Sequence, residues 1–277
     1  MLGIANLLKS SLKRVLYSVA PQTAAALMSA RSRRHSQSMV KQWGLLDLNA
    51  RLLENLGDRV LSGPFQGLTL SPMTRKEHLG PFLLGTYEAE LHAWWEEIFN
   101  WSFSQIIDVG SKFGYYAVGL ARHFPDAQVI AFDIDPWAKR ATREMIAANR
   151  TPNVAVLGSC SPEWLQRELE PHALLVSDCE GYEKALFCGP QVPNLSTAVM
   201  LIELHEEVSP GVTSALEGRF IVTHHASRVA AHSDNPVAPV SLDFLSKSEA
   251  GMSTSEIRSP QEWMLFVPRS MEQPRST

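Results

Sequence analysis

Residues 105–136 read QIIDVGSKFGYYAVGLARHFPDAQVIAFDIDP. An apolar run ends at Asp108 and leads into a turn that contains two glycines. A helical pattern follows, and a second apolar run ends at Asp133. Short apolar runs that alternate with helices predict parallel strands buried on both faces. This stretch therefore predicts the first strand–helix–strand unit of a doubly wound α/β fold.

The same alternation continues from residue 137 to the end of the chain. Later apolar runs predict further strands, with sequences NVAVLG, ALLVSD, AVMLIEL, FIVTHHA and EWMLFVP. Residues 232–260 are polar and rich in turn formers, so they predict a flap or a disordered loop before the last strand.

Composition narrows the class of protein. The chain has 277 residues, 45% of them hydrophobic and 19% charged, which is typical of a globular protein. No apolar run reaches the roughly 18 residues that a membrane-spanning helix needs. The three cysteines fit no zinc-binding spacing, and their small odd number favours a reducing compartment. We expect a cytoplasmic protein without a structural metal.

Charge is distributed unevenly along the chain. Residues 1–46 contain seven Lys or Arg and no acidic residue, whereas the remaining residues contain 18 basic and 29 acidic side chains. The asymmetry predicts separate roles for the head and the body. An acidic body argues against nucleic acid as a partner, because phosphate contacts dominate that affinity.

The basic head has a helical pattern. Ile4, Leu8, Leu12, Val15 and Val19 recur at helical spacing among basic residues. Three interpretations remain open: a peripheral membrane contact through residues 1–20, an organellar transit peptide, and a helix that docks on the body.

The predicted organisation has three parts. Residues 1–38 form the basic helix and a linker, and residues 39–100 form a lead-in and lid. The lead-in is expected to contain helices, a short strand pair and a helix from about residue 87 to 99. Residues 101–277 form the ligand-binding domain.

The turn after the first strand limits the ligand. Gly110 and Gly114 permit a tight turn and leave the N–H groups of the next helix accessible. Their G-x-x-x-G spacing differs from the G-x-G-x-x-G of dinucleotide-binding proteins. Asp108 would repel a phosphate but could hold a cationic amine, and Asp133 is placed to accept the hydroxyls of a ribose. Together these features predict S-adenosylmethionine (SAM).

Several stretches resemble the FkbM-like group of class I SAM-dependent methyltransferases. They are GTYEAEL, IDVGSKFGYYAVGLA, AFDIDP, VSDCEGYEKALFCG and LIELHE. The resemblance covers roughly residues 80–225, and its most specific element is Asp-x-Glu-Gly-x-Glu. It implies a seven-stranded Rossmann-like sheet whose last strand is antiparallel, and O-methylation of a hydroxyl on a sugar or a secondary metabolite.

The resemblance also implies that Tyr87 and Glu88 close over the ligand. The chain departs from the family pattern at Ser111 and Lys112, where a small residue and Asn are usual. Lys112 either pairs with the SAM carboxylate or points to solvent. The acid often found near the adenine is missing, so Ser159 or Ser161 would take that contact. The complete predicted cofactor set is Tyr87, Glu88, Asp108, Gly110, Ser111, Lys112, Gly114, Asp133, Ile134, Ser159 and Asp178.

Catalytic candidates follow the fourth and fifth predicted strands. Asp178 and Glu180 are two residues apart, as are Glu203 and His205, so each pair would share one face of an extended chain. We predict that Asp178 positions the acceptor and that His205 or Glu180 is the base, since histidine has a suitable pKa. A divalent cation held by this cluster is a less favoured alternative. Glu183 is expected only to start the next helix.

These features favour a SAM-dependent O-methyltransferase that acts on a carbohydrate-like or secondary-metabolite acceptor. The alternative is a non-catalytic SAM-binding scaffold tethered by the basic helix. A nicotinamide-dependent oxidoreductase is disfavoured by the glycine spacing.

Overall fold

The computed structural model describes residues 40–77, 79–189, 191–231, 236–256 and 261–271, and the single residues 20, 23, 27, 31, 34 and 38. The predicted amphipathic helix of residues 1–20 lies outside this part of the chain, apart from Ala20. Within the predicted linker, Arg31, Arg34 and Ser38 have helical backbone.

The described residues form one mixed sheet with helices on both faces. The strands are β1 (Gln105–Val109), β2 (Gln128–Phe132), β3 (Val154–Leu157), β4 (Leu174–Ser177), β5 (Val199–Leu204), β6 (His224–Ala230) and β7 (Glu262–Pro268). The helices are α1 (Leu45–Leu56), α2 (Leu79–Leu84), α3 (His92–Ile98), α4 (Tyr115–His123), α5 (Pro136–Asn149), α6 (Pro162–Glu168), α7 (Glu183–Phe187), α8 (Val212–Phe220) and α9 (Lys247–Thr254). Short 3₁₀ turns lie at Thr74–Lys76, Ala89–Leu91, Pro193–Ser196 and Arg269–Met271.

The strand order is β3-β2-β1-β4-β5-β7-β6. Strands β1 to β5 are parallel, and β7 is antiparallel to both β5 and β6. The predicted doubly wound, seven-stranded sheet with an antiparallel last strand is confirmed. The order reverses between β1 and β4, and this switch point is where open α/β sheets bind ligands.

The two faces of the sheet bury different helices. Along β1, Ile106 packs in a core with α4, α5 and the lead-in, whereas Ile107 packs in a second core with α6, α7 and α8. Successive strand residues point to opposite faces, so both faces of a central strand are apolar. The helices begin at sequence signals: Asp135 caps α5 and Ser161 caps α6, each followed by proline.

The lead-in differs from its prediction. The predicted helix of residues 87–99 is shorter, because Glu88 has a left-handed backbone (φ 48°) and its N–H donates to Glu256 Oε1 at 2.7 Å. Only a 3₁₀ turn and α3 follow. The predicted strand pair is reduced to a single antiparallel bridge between Arg59 and Thr69. The predicted strand FIVTHHA begins later, at His224.

The prediction of a flap or disordered loop at 232–260 is wrong for residues 247–254, which form α9. Ser246 and Glu249 form a capping box, and Glu249 also pairs with Arg51 of α1. Gly80 of α2 lets α9 approach closely, since a Cβ there would lie 2.2 Å from the carbonyl oxygen of Ser253.

None of the helices in the described ranges has the length and apolar character that a membrane crossing requires.

The contact between α2 and α9 can be tested with two glycines that lie inside helices. Gly80→Ala should lower the free energy of unfolding by about 1–3 kcal/mol, because the methyl group collides with backbone. Gly218→Ala in α8 is the matched control: no atom lies within 4 Å of its Cβ position. It should raise stability by up to about 1 kcal/mol. Urea unfolding of both variants measures the difference, and equal effects would contradict the close packing of α9.

Candidate active site

The turn between β1 and α4 forms one wall of the site. Gly110 (φ 92°) and Gly114 (φ 77°) both need the left-handed region. A Cβ at Gly110 would lie 1.7 Å from the carbonyl oxygen of Asp178, and one at Gly114 would lie 2.9 Å from Thr142 Cγ2. The hydroxyl of Ser111 also lies 3.3 Å from that of Thr142. Glycine is therefore required twice, and the turn lies directly against the end of β4.

Lys112 has a backbone role in this turn. It is a non-glycine residue with φ 47°, where asparagine would be more easily accommodated. Its N–H donates to Asp133 Oδ2 at 3.0 Å. The side chain is exposed, and its Nζ lies 5.3 Å from the ring centroid of Phe113. The left-handed backbone thus orients Asp133, while the ammonium group stays at the rim of the site.

Asp133 is held at the end of β2 in a fixed orientation. Besides the bond from Lys112, its Oδ1 accepts from the N–H of Asp135 at 2.8 Å. Burial raises its pKa, and the two backbone hydrogen bonds oppose the rise. Each carboxylate oxygen has a second lone pair, so both can still accept from a ligand hydroxyl.

Asp108 lies buried at the end of β1, and its Oδ2 accepts from the N–H of Ala117 in the first turn of α4 at 3.1 Å. Burial is the main cause that raises the pKa of Asp108 to about 8, and the charges of Asp178 and Asp133 add to the rise. A cationic group bound beside Asp108 would favour its ionised form, because opposite charges stabilise each other.

A cluster of carboxylates surrounds His205 at the ends of β4 and β5. His205 Nδ1 lies 2.8 Å from Glu183 Oε1, and its Nε2 lies 3.3 Å from Glu203 Oε2 and 3.5 Å from Asp178 Oδ1. The register of β4 and β5 explains the meeting, since Ser177 pairs with Ile202 and places Asp178 beside Glu203. The histidine and Glu183 are almost completely buried, whereas the Asp178 side chain is 27% exposed.

The charges of this cluster determine its protonation. Burial alone would lower the pKa of His205, but the carboxylates of Glu183, Glu203 and Asp178 raise it well above its usual value. Burial and the nearby Asp178 raise the pKa of Glu203. The surrounding carboxylates therefore favour the protonated form of His205, whereas the predicted base must be in its unprotonated form to accept a proton. The role of His205 as the base stays a prediction.

Glu180 lies beside this cluster on a bent chain. It has φ 57° and is followed by Gly181 with φ 102°, so the predicted extended chain through Asp178 and Glu180 is wrong. Burial and the charge of Asp178 raise the pKa of Glu180, whereas His205 and Lys112 lower it. The turn also brings the Glu183 side chain back under the cluster.

Glu183 is the site residue whose role the sequence did not predict. It begins α7 as expected, but its carboxylate is buried and accepts from the N–H groups of Cys179 and Gly181, each at 3.2 Å, besides contacting His205. Glu183 is the last residue of the Asp-x-Glu-Gly-x-Glu motif. The glycine in that motif could have indicated a turn that folds the Glu183 side chain back toward the strand ends.

The lead-in reaches the same edge of the sheet through Tyr87 and Glu88, the residues that are predicted to close over the ligand. Glu88 is buried and accepts a short hydrogen bond from the Tyr116 hydroxyl. Tyr87 stacks on Phe82, with ring centroids 4.2 Å apart. The charge of Glu88 contributes to the raised pKa of Glu203, so the Glu88 carboxylate lies near the cluster.

Of the two serines predicted to contact the adenine, one is used in a helix cap. Ser161 is engaged as the cap of α6, where its hydroxyl accepts from Trp164 N at 3.2 Å. Ser159 is exposed, and its hydroxyl lies 3.4 Å from the carbonyl oxygen of Cys160. Ile134, after β2, packs against the second core. Ser159 therefore remains the serine candidate for the adenine contact, because its hydroxyl does not cap a helix.

The cluster also has the donor set of a cation site. Asp178, Glu203 and His205 each offer a ligand atom, and these atoms lie within 4.8 Å of one another. Two carboxylate oxygens and an imidazole nitrogen suit several divalent metals. A protonated imidazole cannot be a ligand, however, so a metal ion and the His205 proton would compete for this position.

The protonation of His205 can be measured directly. NMR titration of the histidine rings should show His205 still charged well above pH about 6.5, where an unperturbed histidine loses its proton. His224 is the internal control, because burial lowers its pKa and it should lose its proton at lower pH. Glu183→Gln should lower the pKa of His205 without changing that of His224. A His205 that titrates with His224 would contradict the cluster as described.

The comparisons with known proteins give fold-level similarity only. No family model and no curated protein matches the chain. Similar solved structures include a putative O-methyltransferase from Klebsiella pneumoniae, with 14% identity over 66% of this chain and 79% of that chain and a TM-score of 0.43. Another is the O-methyltransferase from Bacillus cereus in complex with SAH, with 15% identity over 84% of this chain and 97% of that chain and a TM-score of 0.43. A third is a putative rRNA methylase from Clostridium thermocellum, with 11% identity over 62% of this chain and 92% of that chain and a TM-score of 0.41. At these TM-scores the likeness carries no inference about ligand or activity.

Proposed function

We propose that the chain is a SAM-dependent methyltransferase that methylates a hydroxyl oxygen. The observation that carries the proposal is the alignment of three features at the switch point of the sheet: the glycine turn, the oriented Asp133 and the cluster around His205. The close contact of Gly110 with the Asp178 backbone places the glycine turn next to the cluster around His205. The resemblance of the motifs to FkbM-like proteins supports the same function.

The cofactor would lie across the glycine turn. Asp133 would accept the ribose hydroxyls, because its backbone partners leave a lone pair on each oxygen. Asp108 would face the amino group, because a cation bound beside it would favour its ionised form. Tyr87 and Glu88 would close the site from the lid side. Ser111 and Ser159 would supply further hydroxyls, Lys112 would contact the carboxylate of the amino-acid end, and Ile134 would contact the adenosine.

SAM would supply an electrophilic methyl group, which the acceptor oxygen takes while the carbon–sulfur bond breaks. The protein must then align the acceptor and accept its hydroxyl proton. Asp178 is the member of the cluster with the largest exposed fraction, so it is the first candidate to contact that hydroxyl. The contact of His205 Nε2 with Asp178 Oδ1 would hold that carboxylate in position.

His205 and Glu180 are the candidate bases. Burial and the charge of Asp178 raise the pKa of Glu180, and the surrounding carboxylates raise that of His205. A raised pKa makes either group a stronger proton acceptor once it is unprotonated. The carbohydrate-like or secondary-metabolite class of the acceptor rests on the motif resemblance alone.

Two substitutions separate cofactor binding from catalysis. Asp133→Asn should weaken SAM binding by about tenfold or more, because charged hydrogen bonds to the ribose are lost. His205→Gln should leave SAM affinity within about twofold and lower turnover by about 10²-fold. Calorimetry with SAM and S-adenosylhomocysteine, and transfer of labelled methyl groups to hydroxyl-rich glycan and metabolite extracts, measure the two effects.

Asp126→Asn, in an exposed loop, is the matched control for the loss of a carboxylate. The retained SAM affinity of His205→Gln shows that this variant is folded. Equal loss of SAM binding in both site variants would reject the division of roles. Absence of SAM binding by the unmodified protein would reject the function, and SAM binding without any turnover would favour a scaffold.

A further inference from the structure

An open cleft of about 310 Å³ lies at the opposite edge of the sheet from the candidate active site. It is formed where α4 and α5 end and where the chain of residues 59–69 crosses them. Its lining residues are Arg59, Gly67, Thr69, Arg122, Ala148, Asn149 and Arg150. Helices that follow parallel strands run back toward the amino ends of those strands, so this cleft is separate from the site described above.

Hydrogen bonds fix the walls of the cleft. The side chain of Asn149 accepts from Thr69 N and donates to Thr69 O, both at 2.8 Å, and so ties the lead-in to the end of α5. Gly67 (φ 82°) turns the lead-in, and its Cβ position is 3.5 Å from a guanidinium nitrogen of Arg122. Arg150 caps α5 in the left-handed conformation, with φ 54°. Three separate segments therefore bring the three arginines to one cleft.

The cleft is strongly positive. Three of its seven lining residues are arginines and none is acidic. Within the described ranges, no ion pair includes any of the three. Other arginines of the chain do find carboxylates: Arg51 pairs with Glu249 and Arg75 with Asp58. Since the chain as a whole has a net charge of −4, three unneutralised arginines at one cleft need a separate explanation.

Helix dipoles explain only part of this arrangement. Arg122 lies in the last turn of α4 and Arg150 follows α5, so both are favoured by the negative ends of these helices. Arg59 comes from the antiparallel bridge with Thr69, in the segment that crosses these helix ends. Each helix end carries roughly half a negative charge, so the two ends together do not neutralise three arginines.

We propose that this cleft binds a phosphate group. Guanidinium groups match phosphate oxygens with paired hydrogen bonds, and three of them from different directions suit a tetrahedral dianion better than a planar carboxylate. Thr69 offers a hydroxyl donor in the same lining. The volume is at the lower end of ligand pockets, which is enough for a sugar-phosphate-sized molecule. The phosphate could belong to a soluble phosphomonoester or to a lipid headgroup.

The experiment uses the full chain and two forms of the ligand. Glycerol 3-phosphate and inorganic phosphate are titrated by calorimetry at low salt, and binding to phosphatidylcholine vesicles with and without phosphatidic acid is measured by co-sedimentation. The variants are Arg59→Gln, Arg122→Gln and Arg150→Asn, the last because asparagine tolerates a left-handed backbone. Arg143→Ala, exposed on α5 and outside the cleft, is the matched control.

We expect saturable binding in at least one arm, weakened about tenfold by each cleft variant and unchanged by Arg143→Ala. High salt should weaken it, since the arginines are exposed. Asp133→Asn should have no effect, which separates this cleft from the proposed cofactor site. The soluble arm and the vesicle arm distinguish the two sources of phosphate. No saturable binding in either arm, or binding that the cleft variants do not change, would overturn the proposal.

Discussion

The contact between Gly110 and the carbonyl of Asp178 is the constraint on which the candidate site depends. A Cβ atom at position 110 would lie only 1.7 Å from the carbonyl oxygen of Asp178, so any residue with a side chain would collide there. This close approach places the glycine turn after β1 directly beside Asp178 at the end of β4. The contact forms because β1 and β4 are neighbours at the switch point of the sheet, and it is sterically possible because glycine has no side chain.

The second constraint is electrostatic. Four carboxylates at the ends of β4 and β5 could not all remain ionised in a buried space without a compensating charge. A protonated His205 would supply it, because its two nitrogens are directed at Glu183 and at the pair Asp178 and Glu203. These carboxylates raise the pKa of His205, which favours that protonated form. A metal ion bound to the imidazole would have to displace this proton.

The sequence was sufficient for the sheet and for the residues at its carboxyl edge, because both follow from local periodicity and from short motifs. It was insufficient where a residue acts through a distant partner. Glu88 breaks the predicted lead-in helix because its N–H bonds to Glu256, and α9 packs where a loop was expected because Gly80 admits its backbone. The role of Glu183 depended on a turn at Gly181 that reverses the chain.

If the proposed function holds, the glycine turn and Asp133 bind SAM with its sulfur facing the cluster around His205. A crystal structure of the protein with S-adenosylhomocysteine should then show the ribose hydroxyls on Asp133 and the amino-acid end at the glycine turn between Gly110 and Gly114. The sulfur should lie on the side of Asp178. A ligand bound away from Asp133, or no ligand at a saturating concentration, would contradict it.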